Sequence, residues 1–199
     1  GRGASRPRIT FESSTSASIL ISAPNCSIFN VVGIAGIAGL TQPFDITADD
    51  CMLNIEWQDA STSTAAARAI LATAADRLDL TLTYRGFLAT TQVVNAIRLN
   101  ECNHVDILLD AFGVNSLGWI EFVSALSTNV FVRGSMYTDG YTDGSHNVVD
   151  TTGASIWGAE FFDLGAGVMM AGGSGLALAP QYLNVVQLNA ILSAAGLLT

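Results

Sequence analysis

Leu78-Asp-Leu-Thr-Leu-Thr-Tyr84 alternates apolar and polar residues without a break. Leu78, Leu80, Leu82 and Tyr84 point one way, while Asp79, Thr81 and Thr83 point the other, the period of a strand buried on one face. The stretch before it reads differently. Ser61-Thr-Ser-Thr-Ala-Ala-Ala-Arg-Ala-Ile-Leu-Ala-Thr-Ala-Ala-Asp-Arg77 is alanine-rich and opens with hydroxyl residues suited to capping, so it is expected to be a helix. Ala66, Ala69, Ile70 and Thr73 would share one face of it.

Outward from this pair, short strands are expected in both directions. Ala17–Ser22 and Ser27–Val32 flank an Ala-Pro-Asn turn, and Cys51–Trp57 follows. Further strands are read at Gln92–Leu99, His104–Leu109, Trp119–Leu126, Asn129–Tyr137, Ser155–Phe162 and Val168–Met170. Gly33-Ile-Ala-Gly-Ile-Ala-Gly39 lacks the dinucleotide-binding spacing and reads as a loop or interface segment. Leu188, Ile191, Leu192 and Ala195 repeat at helical spacing, although Leu183–Leu188 also suits a closing strand. No sequence repeat or linker is evident. The expected fold is all-β: a single eight-stranded jelly-roll sandwich with one or two short helices. It divides into an extended amino-terminal arm (1–16), a shell domain (17–182) and a carboxy-terminal arm or last strand docked on a neighbour (183–199).

Composition narrows the role. Half of the 199 residues are apolar and 13% are charged, less charge than a free monomer of this size normally shows. The remaining polar residues are mainly Ser, Thr, Asn and Gly, which tolerate desolvation better than Lys or Glu. A subunit covered by its neighbours fits that balance. The formal charge is −9, lysine is absent, and three of the eight arginines, Arg2, Arg6 and Arg8, lie in the opening arm. An acidic body repels a polyanion, so only this arm is suited to face a genome. Cys26, Cys51 and Cys102 are odd in number and unpaired in spacing, which argues for reduced thiols. The longest apolar stretch, Ile28–Leu40, is too short to span a bilayer as a helix.

Sites of chemistry are few. His104, with Asp106 and Asp110 on the same strand face, has no second ligand at metal spacing. His146 lies in a loop with two Thr-Asp-Gly turns, where Asp139 and Asp143 are the candidate ligands for a structural calcium between subunits, the one cofactor considered. Ser174, in Ala171-Gly-Gly-Ser-Gly175, has Leu176 where a nucleophile elbow needs glycine. Trp57, Trp119 and Trp157 sit on separate strands and read as core or interface anchors. No enzyme is expected.

One stretch carries a resemblance. The helix expected from Ala65 and the strand Arg77-Leu-Asp-Leu-Thr-Leu-Thr-Tyr-Arg-Gly86 resemble the helix and following strand in jelly-roll coat proteins of small, picorna-like RNA viruses. The resemblance covers about a tenth of the chain. It implies a structural coat protein that self-assembles, alone or with sister subunits, into an icosahedral capsid in the host cytoplasm. It also implies release from a polyprotein before Gly1, and viral RNA as a partner of the arm. The alternative is a glycan- or receptor-binding β-sandwich from a phage tail or secreted adhesin, acting through Tyr137–Asn147.

Overall fold

A computed structural model describes residues 6–59, 66–86, 93–113, 115, 117–137, 147–164, 167–174 and 176–182. It is all-β, as expected, but it is not a jelly roll. The strands form two sheets, and successive strands from β1 to β13 alternate between them. Sheet A holds β1 (Arg8–Phe11), β3 (Ser27–Ala35), β5 (Met52–Asp59), β7 (Asp76–Arg85), β9 (Asn103–Phe112), β11 (Thr128–Met136), β13 (Trp157–Asp163), β14 (Val168–Gly173) and β15 (Leu176–Tyr182), in that spatial order. Sheet B holds the shorter β2 (Ile19–Ile21), β4 (Phe44–Ile46), β6 (Ile70–Thr73), β8 (Ile97–Asn100), β10 (Ile120–Phe122) and β12 (Val148–Asp150). Every pair from β1 to β13 is parallel. The chain therefore winds as a β-solenoid of about five turns. A jelly roll folds back on itself through antiparallel pairs, and among the described residues these occur only in β13–β14–β15.

Why the chain coils is visible in the ladders. Leu53, Leu80, Ile107, Val132 and Ala159 stack in register along sheet A, and Phe44, Ile70, Ile97, Ile120 and Val148 do so along sheet B. Each is buried, so every added coil extends one continuous core. Asn25, Asp50, Arg77, His104 and Asn129 all adopt left-handed backbone with φ between 54° and 61°, one at each corner leading into sheet A. They recur 25 to 27 residues apart, a structural repeat with no evident counterpart in the sequence. Asn and Asp suit this conformation; Arg77 and His104 are held there by the coil.

The expected helix over 61–77 is also corrected. Its first five residues lie outside the described ones, and Ile70–Thr73 and the start of β7 are strand. Ala66, Ala69, Ala72 and Ala75 are fully buried. Each is packed inside the winding, and that tertiary burial overrides alanine's helix preference. Large rings also fill the interior. Phe11, Phe44 and Trp57 cluster with centroids 5.7 to 6.3 Å apart, and Tyr84 packs on Trp119 at 5.5 Å. Gly33 makes the first cluster possible, since a Cβ there would lie 2.6 Å from the Trp57 ring. Of the expected arms, residues 8–11 join sheet A as its edge strand, while 183–199 lie outside the described residues.

Candidate functional site: the outer face of sheet A

Alternation in sheet A sends every second side chain outward. These outward positions stack into rows: Met52, Asp79, Asp106 and Phe131 in one, Phe29, Asn54, Thr81, Leu108, Arg133 and Glu160 in the next. Neighbouring coils place row members about 4.8 Å apart. Phe29, Met52, Leu108, Phe112, Phe131 and Phe162 lie on this face, as does Leu164 just past β13, and each is 38 to 52% exposed. They make up seven of the ten large apolar side chains exposed among the described residues. Scattered exposed apolar residues are ordinary, whereas a face that gathers most of them marks a contact surface.

Charge is unevenly spread over the same face. Toward β3, Arg6 donates to Glu56 at 2.6 Å and Arg8 to Gln58 at 3.3 Å, and Arg85 is exposed at the end of β7. Toward β13, Asp106, Asp110 and Glu160 are exposed. Asp106 accepts two bonds from Arg133 at 2.8 Å, and Asp110 accepts from the Ser135 hydroxyl at 2.7 Å. The Arg133 guanidinium also lies over the Phe131 ring at 5.7 Å, and Phe112 packs on Tyr137 at 5.5 Å. Sharing a carboxylate and a ring holds Arg133 flat along the sheet, so the patch presents few free donors.

Two buried polar clusters lie elsewhere. Inside the coil, Asp59 continues the inward series Leu53, Ile55, Trp57 and accepts from the Tyr84 hydroxyl and the Ala66 amide. Burial raises its pKa to about 6, against the lowering effect of the Tyr84 and Ala66 hydrogen bonds. Burial, with Asp59 beside it, pushes the Tyr84 phenol well above its usual value. On sheet B, Glu121 is buried and accepts from Asn95 and Arg98, each at 2.7 Å. Nearby, burial and the Arg98 charge lower the Arg68 pKa. Neither cluster pairs a nucleophile with a base in an open cleft.

The residues singled out in the sequence are dispersed. Arg6 and Arg8 bond to the chain's own side chains, and Arg2, Asp139, Asp143 and His146 lie outside the described residues. Among the described residues, no group of His, Cys, Asp and Glu is arranged to hold a metal ion. The Ser174 hydroxyl donates to the Ser155 and Trp157 carbonyls and accepts from the Trp157 amide, which ties the β14–β15 turn to the last coil. His104 is a corner residue; Asp106 and Asp110 do share the outer face. Trp57 and Trp119 are core, Trp119 donating to the Tyr137 carbonyl at 2.9 Å, and half-buried Trp157 stacks on Phe122. Cys51 and Cys102 are buried free thiols whose pKa burial raises, and Cys26 is half-buried and free. No protein family, curated protein or solved structure matches the chain.

Two features escaped the sequence reading. Asp59 was signalled by the inward alternation of β5, carried one position further than Trp57. The apolar outer face was hidden where a run such as Ile107-Leu108-Leu109 interrupts the alternation with an apolar residue facing outward.

Proposed function

We propose that this chain is a structural protein, a stiff β-solenoid that works by associating with copies of itself or with sister chains. The observation that carries this reading is the outer face of sheet A, where most of the exposed large apolar side chains are gathered. Thin charge over the whole chain supports it, because a weakly charged surface gains from being covered. We retain a virion as the proposed setting, with the solenoid as a coat or appendage component. The wedge-shaped jelly-roll tile is not retained, since that fold is absent. Sedimentation of the purified full chain tests the reading. Discrete oligomers or larger particles are expected, and a monodisperse monomer at high concentration would overturn it.

A further inference from the structure

Resting on that reading, we infer that the outer face of sheet A packs against the same face of a second copy, with the two solenoids antiparallel. Three observations lead there. The first is area. Six strands from β3 to β13, at about 4.8 Å spacing and about eight residues long, present roughly 750 Å². That is close to the ~800 Å² each partner contributes to a stable interface.

The second is charge. The β3 half, with the arginines at its β1 edge, sets Arg6, Arg8 and Arg85 against Glu56 and Asp79, a net charge of +1, and the β13 half sets Arg133 against Asp106, Asp110 and Glu160, a net charge of −2. A face-to-face pair has two symmetric choices. A twofold axis along the solenoid lays each coil on its own copy, so the acidic half meets itself. A twofold axis parallel to the strands lays β3 on β13, β5 on β11 and β7 on β9, so the acidic half meets the half with a slight positive excess. Like charges forced together cost affinity, so the second arrangement is favoured.

The third is the match of rows in that arrangement. Met52 of one copy meets Phe131 of the other, since both belong to one row and each lies on the second strand out from the centre line between β7 and β9. Arg85 similarly meets Phe112, cation over ring, and Leu108 meets Thr81. Asp79 faces Asp106 near the axis, and Arg133 already neutralises Asp106.

Mixed oxidation of two variants, Met52→Cys and Phe131→Cys, each made in the full chain with the half-buried Cys26 replaced by serine and the buried Cys51 and Cys102 by alanine, tests the orientation. A disulfide-linked dimer is expected from the mixture and not from either variant alone. Phe131→Asp is expected to weaken association about tenfold or more while leaving the far-ultraviolet circular dichroism unchanged. Oligomers that persist with no mixed cross-link, or that tolerate Phe131→Asp, overturn this inference and leave the structural reading standing. A monomer at every concentration overturns both. Binding of a glycan panel by a face that stays monomeric would overturn them in favour of a ligand surface.

Discussion

The Tyr84 hydroxyl donates to both carboxylate oxygens of Asp59, at 2.9 and 3.1 Å, from the next coil inside the solenoid. A carboxylate in that position is costly when ionised, and the phenol offsets only part of the cost. With a pKa of about 6 against 3.8 for the free group, Asp59 stabilises the fold fully at acid pH, below 3.8, and that contribution is lost as pH rises through 6. The difference is about 3 kcal/mol at most.

Asp59→Asn keeps an acceptor for Tyr84 and removes the charge. The variant is expected to exceed the parent by about 1–3 kcal/mol at pH 7.5, with the gap closing near pH 4. Urea unfolding at both pH values measures it. Equal stability at pH 7.5 would mean that the carboxylate is well solvated.

Gly134 has φ +128°, and a Cβ there would overlap the Leu109 carbonyl oxygen of the adjacent strand. Backbone cannot move aside as a side chain can. Gly134→Ala is therefore expected to cost about 2–4 kcal/mol, read as a lower urea midpoint.

Ala72 is fully buried between Ile46 and Leu99 on its neighbouring strands. Ala72→Leu should destabilise the solenoid by about 1–3 kcal/mol through overpacking. Were residues 61–77 a helix with Ala66, Ala69, Ile70 and Thr73 on its packed face, Ala72 would lie off that face and leucine would be tolerated. Thermal denaturation separates the two.

Arg98 supplies one of the two side-chain donors to the buried Glu121 carboxylate. Arg98→Met leaves that charge with Asn95 alone and should cost about 3 kcal/mol. Adding Glu121→Gln should restore a substantial part of the loss. A double variant as unstable as the single one would place the loss in packing by the Arg98 stem.

Strands were legible wherever one face is buried, because alternation reports burial directly: β5, β7 and β9 stand close to where Cys51–Trp57, Leu78–Tyr84 and His104–Leu109 indicated. Which strand pairs with which, and in what direction, leaves no trace in alternation. Leu82 reads the same beside a parallel or an antiparallel neighbour. Sheet B was legible in part: Ala17–Ser22, Gln92–Leu99 and Trp119–Leu126 overlap β2, β8 and β10, whereas Phe44–Ile46 and Val148–Asp150 are too short to show a period. The repeat was concealed because the ladder keeps apolarity rather than size or identity, running from Leu53 through Val132 to Ala159. Its surviving mark is at the corners, where Asn25, Asp50 and Asn129 keep the residue types that left-handed backbone prefers. The outer face became legible only once the inward set was known, because nothing in the sequence distinguishes Phe131 from a core phenylalanine.

The reversal at β13–β14 gives the rod a direction of growth. A parallel ladder can accept another winding indefinitely, each one templated on the last, but a strand running the opposite way presents its partner groups in the wrong phase for that template. The antiparallel pair is thus a stop signal written in backbone geometry, whereas β1 and β2 leave the opposite end in the same sense as the windings. Length in such a protein is quantised. Duplication or loss of one whole winding moves that opposite boundary by a single strand spacing and leaves every other layer in register, while an insertion of any other size must be thrown out as a bulge at a corner.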